Sequence, residues 1–312
     1  MKRRILVAGG SGFVGRHVVA KLVAAGHSVI VPTRRRERAK DLLPLPTADI
    51  IQVDVHDRET LQRLVRRVDC VVNCVGILNE AGPHTFDRVH VELVASLIEA
   101  CERAGVRRFV HVSAVGASPN APSRYLRSKA EGEDRIVASR LAWTIFAPSV
   151  VYGRGDSFLT MFARLLEWLP FMALAAPTTR FQPIWVQDVA HCCARAVDDD
   201  RTIGHRYELG GPRVYTLREI VAWVGETTGH VRPIIPLGPT LSRLQAVVFE
   251  HLPGKLITRD TLASMSVDYV TQASFPTLFG IAPAALEAVA PEIIAPRSVH
   301  SRYEEFRAHS GR

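Results

Sequence analysis

The sequence predicts an α/β fold: a Rossmann-type doubly wound parallel sheet with a smaller, mostly helical C-terminal domain. Short apolar runs alternate with helical patterns, a glycine-rich turn follows the first run, and the alternation becomes irregular after Ser149. The 312 residues exceed a typical single domain. We therefore expect a larger domain over residues 1–152 and a smaller one over 153–312, with part of 181–225 returning to pack on the first.

Six apolar runs of strand length occur before residue 150. Helical periodicity separates them: Val14–Ala25 has an apolar stripe and stops at Gly26, and Phe86–Ala104 stops at Gly105. Strands that alternate with helices of this length predict βαβ units with right-handed crossovers. The predicted strands are Arg4–Ala8, Ser28–Pro32, Asp49–Val53, Asp69–Cys74, Arg108–Val112 and Trp143–Phe146.

The second half has helical patterns separated by turns rich in proline and glycine. This pattern predicts a lid over the carboxyl edge of the sheet. Two short strands are expected at Tyr207–Leu209 and Val231–Ile235. The predicted helices are Leu159–Leu169, Val186–Val197, Leu217–Thr228 and Leu241–His251.

Composition excludes several classes of protein. Hydrophobic residues make up 47% and charged residues 22%, and the net charge is +8, which describes a folded, basic globule. The basic residues are scattered and no nucleic-acid-binding motif is present, so a nucleic-acid partner is not expected. Five cysteines without a CxxC pair indicate reduced, buried thiols and no metal site. Glycines interrupt the apolar N-terminus, and charged residues interrupt 158–176, so we expect a cytoplasmic protein.

The turn after the first predicted strand has the features of a pyrophosphate site. Gly9, Gly12 and Gly15 are spaced GxxGxxG and open an amphipathic helix. Such glycines permit a tight turn, a close approach of phosphate and close packing of helix on strand, while the helix N-terminus adds partial positive charge. We expect the whole turn to bind a dinucleotide: Gly9, Gly10, Ser11, Gly12, Phe13 and Gly15.

The end of the second predicted strand favours NADP(H) over NAD(H). An NAD site usually has a carboxylate there, but this chain continues Thr33-Arg34-Arg35-Arg36. The guanidinium group of Arg34 suits a 2′-phosphate. Further residues follow the third and fourth strands, where α/β sheets bind ligands. Asp54 and Val55 are placed to meet the adenine, and Asn73, Val75 and Gly76 to run beside the cofactor.

A pair of residues in a later helical pattern predicts acid–base chemistry. Tyr125 and Lys129 are four positions apart and share a helix face. We expect the ammonium group to lower the pKa of the phenol, with Ser113 bonded to the same substrate oxygen. Together, Tyr125, Lys129 and Ser113 could protonate a carbonyl while a nicotinamide delivers hydride. In the alternative interpretation, Lys129 binds only the nicotinamide ribose and Tyr125 packs beside it.

These residues resemble the extended and atypical branch of the short-chain dehydrogenase/reductase superfamily over nearly the whole chain. The glycine turn, the Tyr125/Lys129 pair, residues 147–153 and residues 183–190 carry the likeness. By this likeness, Pro148, Ser149 and Val150 lie at the cofactor. Stretches 89–92, 108–117, 123–133, 256–260 and 279–283 are most similar to the nucleotide-binding accessory subunit of respiratory complex I and its bacterial relatives.

The resemblance implies tightly held NADP(H) and, in mitochondrial relatives, a structural role. Bacterial relatives are usually described as sugar-nucleotide epimerases, a label that rests on fold alone. Here the gap from Ser113 to Tyr125 is short, and His90 stands where those enzymes commonly have Asn, which argues against a nucleotide-sugar substrate.

Three functions therefore stay open. The first is an oxidoreductase or epimerase acting on an apolar carbonyl or quinone-like compound. The second is a non-catalytic accessory or assembly protein of a respiratory or membrane-associated complex, peripheral at the inner membrane. The third is a redox-sensing regulator. The apolar segment Phe158–Ala176 fits a substrate wall, a docking surface for a membrane or partner, or simple core packing.

Overall fold

A seven-stranded, all-parallel sheet forms the centre of the molecule. The computed structural model describes residues 2–250 and 258–295. The strands are β1 (Arg4–Ala8), β2 (Ser28–Thr33), β3 (Ala48–Gln52), β4 (Cys70–Asn73), β5 (Arg108–Val112), β6 (Ala142–Pro148), β7 (Val151–Tyr152), β8 (Met172–Leu174), β9 (Arg180–Phe181), β10 (Ile184–Trp185), β11 (His205–Leu209), β12 (Tyr215–Thr216) and β13 (Ile234–Pro236). The order in the central sheet is β11-β6-β5-β4-β1-β2-β3.

Helices cover both faces of this sheet. The helices are α1 (Phe13–Ala24), α2 (Arg58–Val65), α3 (Leu93–Ala104), α4 (Arg124–Val137), α5 (Phe158–Trp168), α6 (Val186–Asp198), α7 (Leu217–Thr228), α8 (Pro239–Glu250), α9 (Arg259–Ser264), α10 (Leu286–Val289) and α11 (Pro291–Ile294). One core lies between the sheet and α1 and α6, and a second between the sheet and α2, α3 and α4. The predicted doubly wound α/β class is confirmed.

Most predicted elements differ from the observed ones by at most one or two residues at their ends. One predicted helix differs in kind. The segment Phe86–Ala104 was expected to be a single α-helix, whereas Asp87–Glu92 forms a π-helical turn before α3. Gly132 of α4 lies against this turn, where a Cβ would overlap the His90 carbonyl oxygen. Extra residues in π-helical turns are frequent at functional sites. The predicted end of the last long helix, His251, lies outside the described residues.

The second half of the chain contributes to both parts of the molecule. Strand β11 pairs in parallel with β6 and completes the central sheet, and α6 packs beside α1. The smaller core gathers α5, α7 and the short pairs β8–β13 and β9–β12 around Leu159, Phe162 and Leu166. None of the helices in the described residues is both long and apolar enough to cross a membrane.

Candidate functional site

The glycine turn leaves no room for side chains. Gly9 has a φ of +75°, and a Cβ on it would come within 2.8 Å of the backbone after β4. A Cβ on Gly15 would overlap the Gly9 carbonyl oxygen, so α1 can begin this close to β1 only with glycine there. Gly12 is the exposed N-cap of α1, and no side chain caps the helix. An open helix N-terminus of this kind fits a pyrophosphate.

The ends of β2 and β3 lie beside this turn. The hydroxyl groups of Ser11 and Thr33 are 3.1 Å apart and tie the glycine turn to β2. Arg34 follows, exposed, and its guanidinium group donates a hydrogen bond to the ring of His84. After β3, the Asp54 carboxylate accepts a hydrogen bond of 3.0 Å from the backbone of His56, and Val55 packs against the core.

Asn73 ends β4 and shapes the turn that follows. Its side-chain oxygen accepts a hydrogen bond of 3.1 Å from the Val75 amide, and its nitrogen lies 3.1 Å from Nδ1 of His111 on β5. Burial and the charge of Lys129 hold the pKa of His111 well below its usual value, so this ring is neutral and accepts from the amide. The side chain of Asn73 therefore orders the turn before Gly76.

Lys129 is the buried cation of the site, with only 4% of its surface exposed. Its ammonium group donates to the Val112 carbonyl at 3.0 Å, and a Cβ on Gly76 would lie 3.5 Å from it. Burial lowers the pKa of Lys129 to about 8. Ser113, which directly follows β5, is buried, and its hydroxyl has no hydrogen-bond partner among the described residues. An unpaired buried hydroxyl of this kind indicates a site that a ligand completes.

The expected effect of Lys129 on Tyr125 is wrong for this structure. Burial raises the pKa of the Tyr125 phenol above its usual value, and neighbouring Tyr269 raises it further, with no contribution from Lys129. The ammonium group is bonded to a backbone carbonyl instead, and the phenol lies in an aromatic environment that disfavours phenolate. The phenol of Tyr125 therefore stays protonated at neutral pH.

His90 supports the Tyr125 helix, a role that the sequence did not suggest. Its Nε2 accepts from the Ile77 amide at 3.1 Å and its Nδ1 lies 2.9 Å from Ser128 Oγ, which in turn donates to the Tyr125 carbonyl. Burial lowers the pKa of His90 to about 2, so the ring is neutral. Phe86 stacks on His90 at 5.6 Å, and both rings meet Tyr125 edge-on. These contacts fix the position of the Tyr125 side chain.

Residues from the C-terminal part reach the same edge. The Asp260 carboxylate accepts hydrogen bonds from the backbone of Arg124 and Tyr125, at 2.7 and 3.1 Å, and so caps the start of α4. Ser149 donates to the Tyr269 carbonyl at 2.5 Å, which holds the Tyr269 ring near Tyr125. Sequence analysis missed both contacts, because no local pattern relates residues so far apart. Part of the resembling stretch 256–260, residues 256 and 257, lies outside the described residues.

The predicted site residues thus fall into two groups along one edge of the sheet. The glycine turn, Arg34 and Asp54 surround the start of α1, whereas Gly76, Ser113, Tyr125 and Lys129 gather near the ends of β4 and β5. Pro148 ends β6 beside the second group, and Ser149 and Val150 follow it. The described residues contain no cluster of His, Cys, Asp or Glu able to hold a metal ion.

This arrangement defines a Rossmann-type NAD(P)H-binding protein of the short-chain dehydrogenase/reductase type. The profile of a family described as NAD(P)H-binding matches residues 9–200, and the chain belongs to that family. Its relatives define the branch more closely: the chain is 34% identical over 285 residues to subunit 9 of the NADH dehydrogenase [ubiquinone] 1 alpha subcomplex of Arabidopsis thaliana mitochondria, covering 83% of this chain and 70% of the relative. The protein is thus a member of this complex I accessory-subunit family.

Other comparisons agree. The mouse (Mus musculus) subunit of the same name is 29% identical over 299 residues, which cover 92% of this chain and 78% of that protein. Among solved structures, the NADPH complex of an NADPH-dependent quinone oxidoreductase from Escherichia coli superposes with a TM-score of 0.74. The match covers 92% of this chain and 98% of that one at 20% identity, and so concerns the fold.

Proposed function

We propose that the chain binds NADP(H) in preference to NAD(H). The observation that supports this preference is the end of β2, where Thr33 is followed by the exposed guanidinium group of Arg34 and by no carboxylate. The pyrophosphate would lie on the open N-terminus of α1, and the adenine beside Asp54 and Val55. Lys129 would bind the nicotinamide ribose, with residues 148–150 beside the ring.

Titration of NADPH and NADH into Arg34→Asp tests this preference. We expect the variant to lose at least about tenfold in NADPH affinity, because a carboxylate then faces the 2′-phosphate, and to bind NADH nearly as before. Arg36→Asp is the matched control, since it makes the same charge change two residues further on. Equal affinities for the two cofactors in the unchanged protein would refute the assignment.

We also propose that the protein is an oxidoreductase or epimerase for an apolar carbonyl or quinone-like compound. Bound NADPH supplies a hydride equivalent to such a substrate. The Tyr125 phenol donates its proton to the substrate oxygen, and Ser113 donates a hydrogen bond to the same oxygen. Tyr125 and Tyr269 are half-buried rings that pack in one apolar cluster, and such surroundings favour a flat, apolar compound over a sugar nucleotide.

Oxidation of NADPH with a panel of carbonyls and quinones tests the chemistry. Tyr125→Phe should abolish turnover and leave NADPH affinity within about twofold, because only the proton donor is lost. Tyr207→Phe, on β11, is the control for removal of a phenol. Full activity in Tyr125→Phe would exclude Tyr125 from the mechanism.

A second candidate function is that of an accessory protein held at an anionic membrane surface. Helix α8 supports this function, because its polar side faces the protein and its apolar side faces outward. The side turned towards the protein carries Ser242, Gln245 and Ala246, and Gln245 bonds to the Ala173 carbonyl at 3.0 Å. Leu241 and Leu244 are exposed, the latter by 60%. A helix with its large apolar side chains outward indicates a partner surface.

The apolar surface extends from α8 to neighbouring elements. Trp168, at the end of α5, is 81% exposed, and Val231 and Ile235 are exposed in and before β13, which pairs with β8. The segment Phe158–Ala176 is therefore of two kinds. The helix face with Leu159, Phe162 and Leu166 belongs to the core, as do Met172 and Leu174 of β8, whereas Trp168, Leu169 and Phe171 between them are exposed. The exposed large apolar residues of this surface are Trp168, Leu169, Phe171, Val231, Ile235, Leu241, Leu244, Val247 and Val248.

A lipid surface fits the chemistry of this region. Aromatic and aliphatic side chains enter the headgroup boundary, and arginines beside them attract anionic lipids. Arg164 of α5 and Arg243 of α8 are exposed, α5 also carries Glu167 and α8 ends in Glu250, and the chain as a whole has a net charge of +8.

Flotation with vesicles of phosphatidylcholine and phosphatidylglycerol tests this second function. We expect the protein to float with these vesicles. The double variant Trp168→Ser/Phe171→Ser should fold and bind NADPH normally but should not float. Leu43→Ser removes another exposed apolar residue, far from α5 in the sequence, and is the control. If the unchanged protein does not float, or if the double variant floats equally well, the membrane proposal is wrong. Binding to a purified protein complex alone would point to a protein partner instead.

A further inference from the structure

Two histidines lie at the adenosine end of the cofactor site, and no sequence motif identifies them. His84 belongs to the segment that runs from β4 to the π-helical turn, and His56 follows β3. Their ring centroids are 6.3 Å apart. Because β2, β3 and β4 are parallel, the segments that follow them meet at one edge, and both rings therefore lie beside Arg34.

The backbone around His84 is held in place. His84 and Ala81 exchange two backbone hydrogen bonds, of 3.1 and 3.2 Å, which close a tight turn. Gly82 has a φ of +54° in this turn, which favours glycine. The Glu80 carboxylate accepts from the Phe86 amide at 2.8 Å just beyond it. The His84 ring is thus presented at a defined position.

The contact between Arg34 and His84 specifies a protonation state. A guanidinium group only donates hydrogen bonds, so the His84 nitrogen that it contacts accepts, and the ring is neutral. The charges that face His84 are Arg34 from β2, Arg88 from the π-helical turn and Asp54 from the end of β3, with His56 between them. Burial and the two arginines lower the pKa of both histidines, and only Asp54 opposes this effect.

A dianionic group at this position would reverse the balance of charge. It would accept a hydrogen bond from Arg34 and replace His84 as the acceptor. A negative charge next to His84 would favour the protonated ring, which can then donate to the same anion. The two arginines, which disfavour a charged His84 in the free protein, would be neutralised by the anion.

We propose that His84, backed by His56, binds the 2′-phosphate of NADP(H) together with Arg34, and that this binding takes up a proton. The inference rests on the proposed preference for NADP(H) and adds the residues and the pH dependence that control it. NADH has no 2′-phosphate, so its binding takes up no proton at this position. The preference for NADPH over NADH therefore increases as the pH falls.

Calorimetric titration of NADPH and NADH at pH 8.0, 7.25 and 6.5 tests this proposal. The range stays above the second pKa of a phosphate group, about 6, so that most of the phosphate is a dianion at each pH. One coupled proton changes affinity by at most about tenfold per pH unit. We expect the ratio of the NADH to the NADPH dissociation constant to rise about tenfold from pH 8.0 to 6.5. Buffers of different ionisation enthalpy should show proton uptake with NADPH only.

Three variants identify the residue responsible. His84→Asn should make the ratio independent of pH, and His84→Arg should keep it high at pH 8.0, because its charge is permanent. His205→Asn removes an exposed histidine on β11 and is the control. A constant ratio in the unchanged protein, or an unchanged pH dependence in His84→Asn, would overturn the inference and leave a preference for NADPH intact. No preference for NADPH at any pH would overturn both.

Discussion

Replacement of the buried Lys129 by Met should stabilise the cofactor-free protein at pH 7. Burial lowers the pKa of Lys129 from 10.5 to about 8, and at about 1.4 kcal/mol per pH unit this fall of 2.5 corresponds to about 3 kcal/mol of unfavourable free energy. The variant leaves the Val112 carbonyl without its donor, which costs about 1 kcal/mol. We expect a net gain of about 2 kcal/mol in the free energy of unfolding.

The dependence on pH follows from the direction of the shift. Between pH 8 and 10.5 the unfolded lysine holds a proton that the folded one has lost, so the unchanged protein becomes more stable as the pH rises. The cost of the buried charge is fully present below pH 8 and has disappeared above about pH 10.5. The advantage of Lys129→Met should therefore shrink across this range and become a small deficit at its upper end.

Urea unfolding followed by circular dichroism at pH 7, 8, 9 and 10 measures both effects. Lys21→Met in α1 is the matched control, because that lysine is only half-buried. The same variants titrated with NADPH should show a loss of affinity only for Lys129→Met. A variant at position 129 that is less stable than the unchanged protein at pH 7, or a difference that does not vary with pH, would refute the reasoning.

Three further predictions concern the glycine turn, a buried arginine and a helix cap. Gly15→Ala should abolish cofactor binding, because the added methyl group overlaps the Gly9 carbonyl oxygen. In the same titration the control Gly238→Ala should bind the cofactor normally, because the methyl group added at that position meets no other atom. Arg108→Lys should lower the free energy of unfolding by about 3 kcal/mol, measured in urea, because one ammonium cannot replace the guanidinium bonds that join β5 to β6 and α6. Asp260→Asn should cost about 1 kcal/mol by weakening the cap of α4, and an unchanged midpoint would show that the cap is unimportant.

The sheet could be predicted from the sequence because its strands are short buried runs separated by helices. The observed bounds of β5 and α7 equal the predicted ones, Arg108–Val112 and Leu217–Thr228. Parallel pairing follows from the βαβ connections, and with it the edge where the glycine turn, Arg34 and Lys129 lie. These features depend on local periodicity and on topology, both of which a single sequence records.

Other features depend on contacts between distant segments and leave no local pattern. The π-helical turn interrupts Phe86–Ala104 without a break in its apolar periodicity, and it packs against Gly132 on another helix. Asp260 and Tyr269 reach Tyr125 across more than a hundred residues. The pKa of Tyr125 was misjudged for the same reason: spacing on a helix suggests the neighbour Lys129, but burial and surrounding rings determine the pKa of the phenol.

The late position of β11 in the chain has a consequence for synthesis. Strand β6 is complete at Pro148, but the partner on its outer side, β11, begins only at His205. While the ribosome translates residues 149–204, the nascent sheet has a buried-type strand at its edge with unpaired backbone groups. Such edges recruit other chains. The newly made protein therefore passes through an interval in which a chaperone, or slow translation of the following residues, would determine the yield of folded molecules.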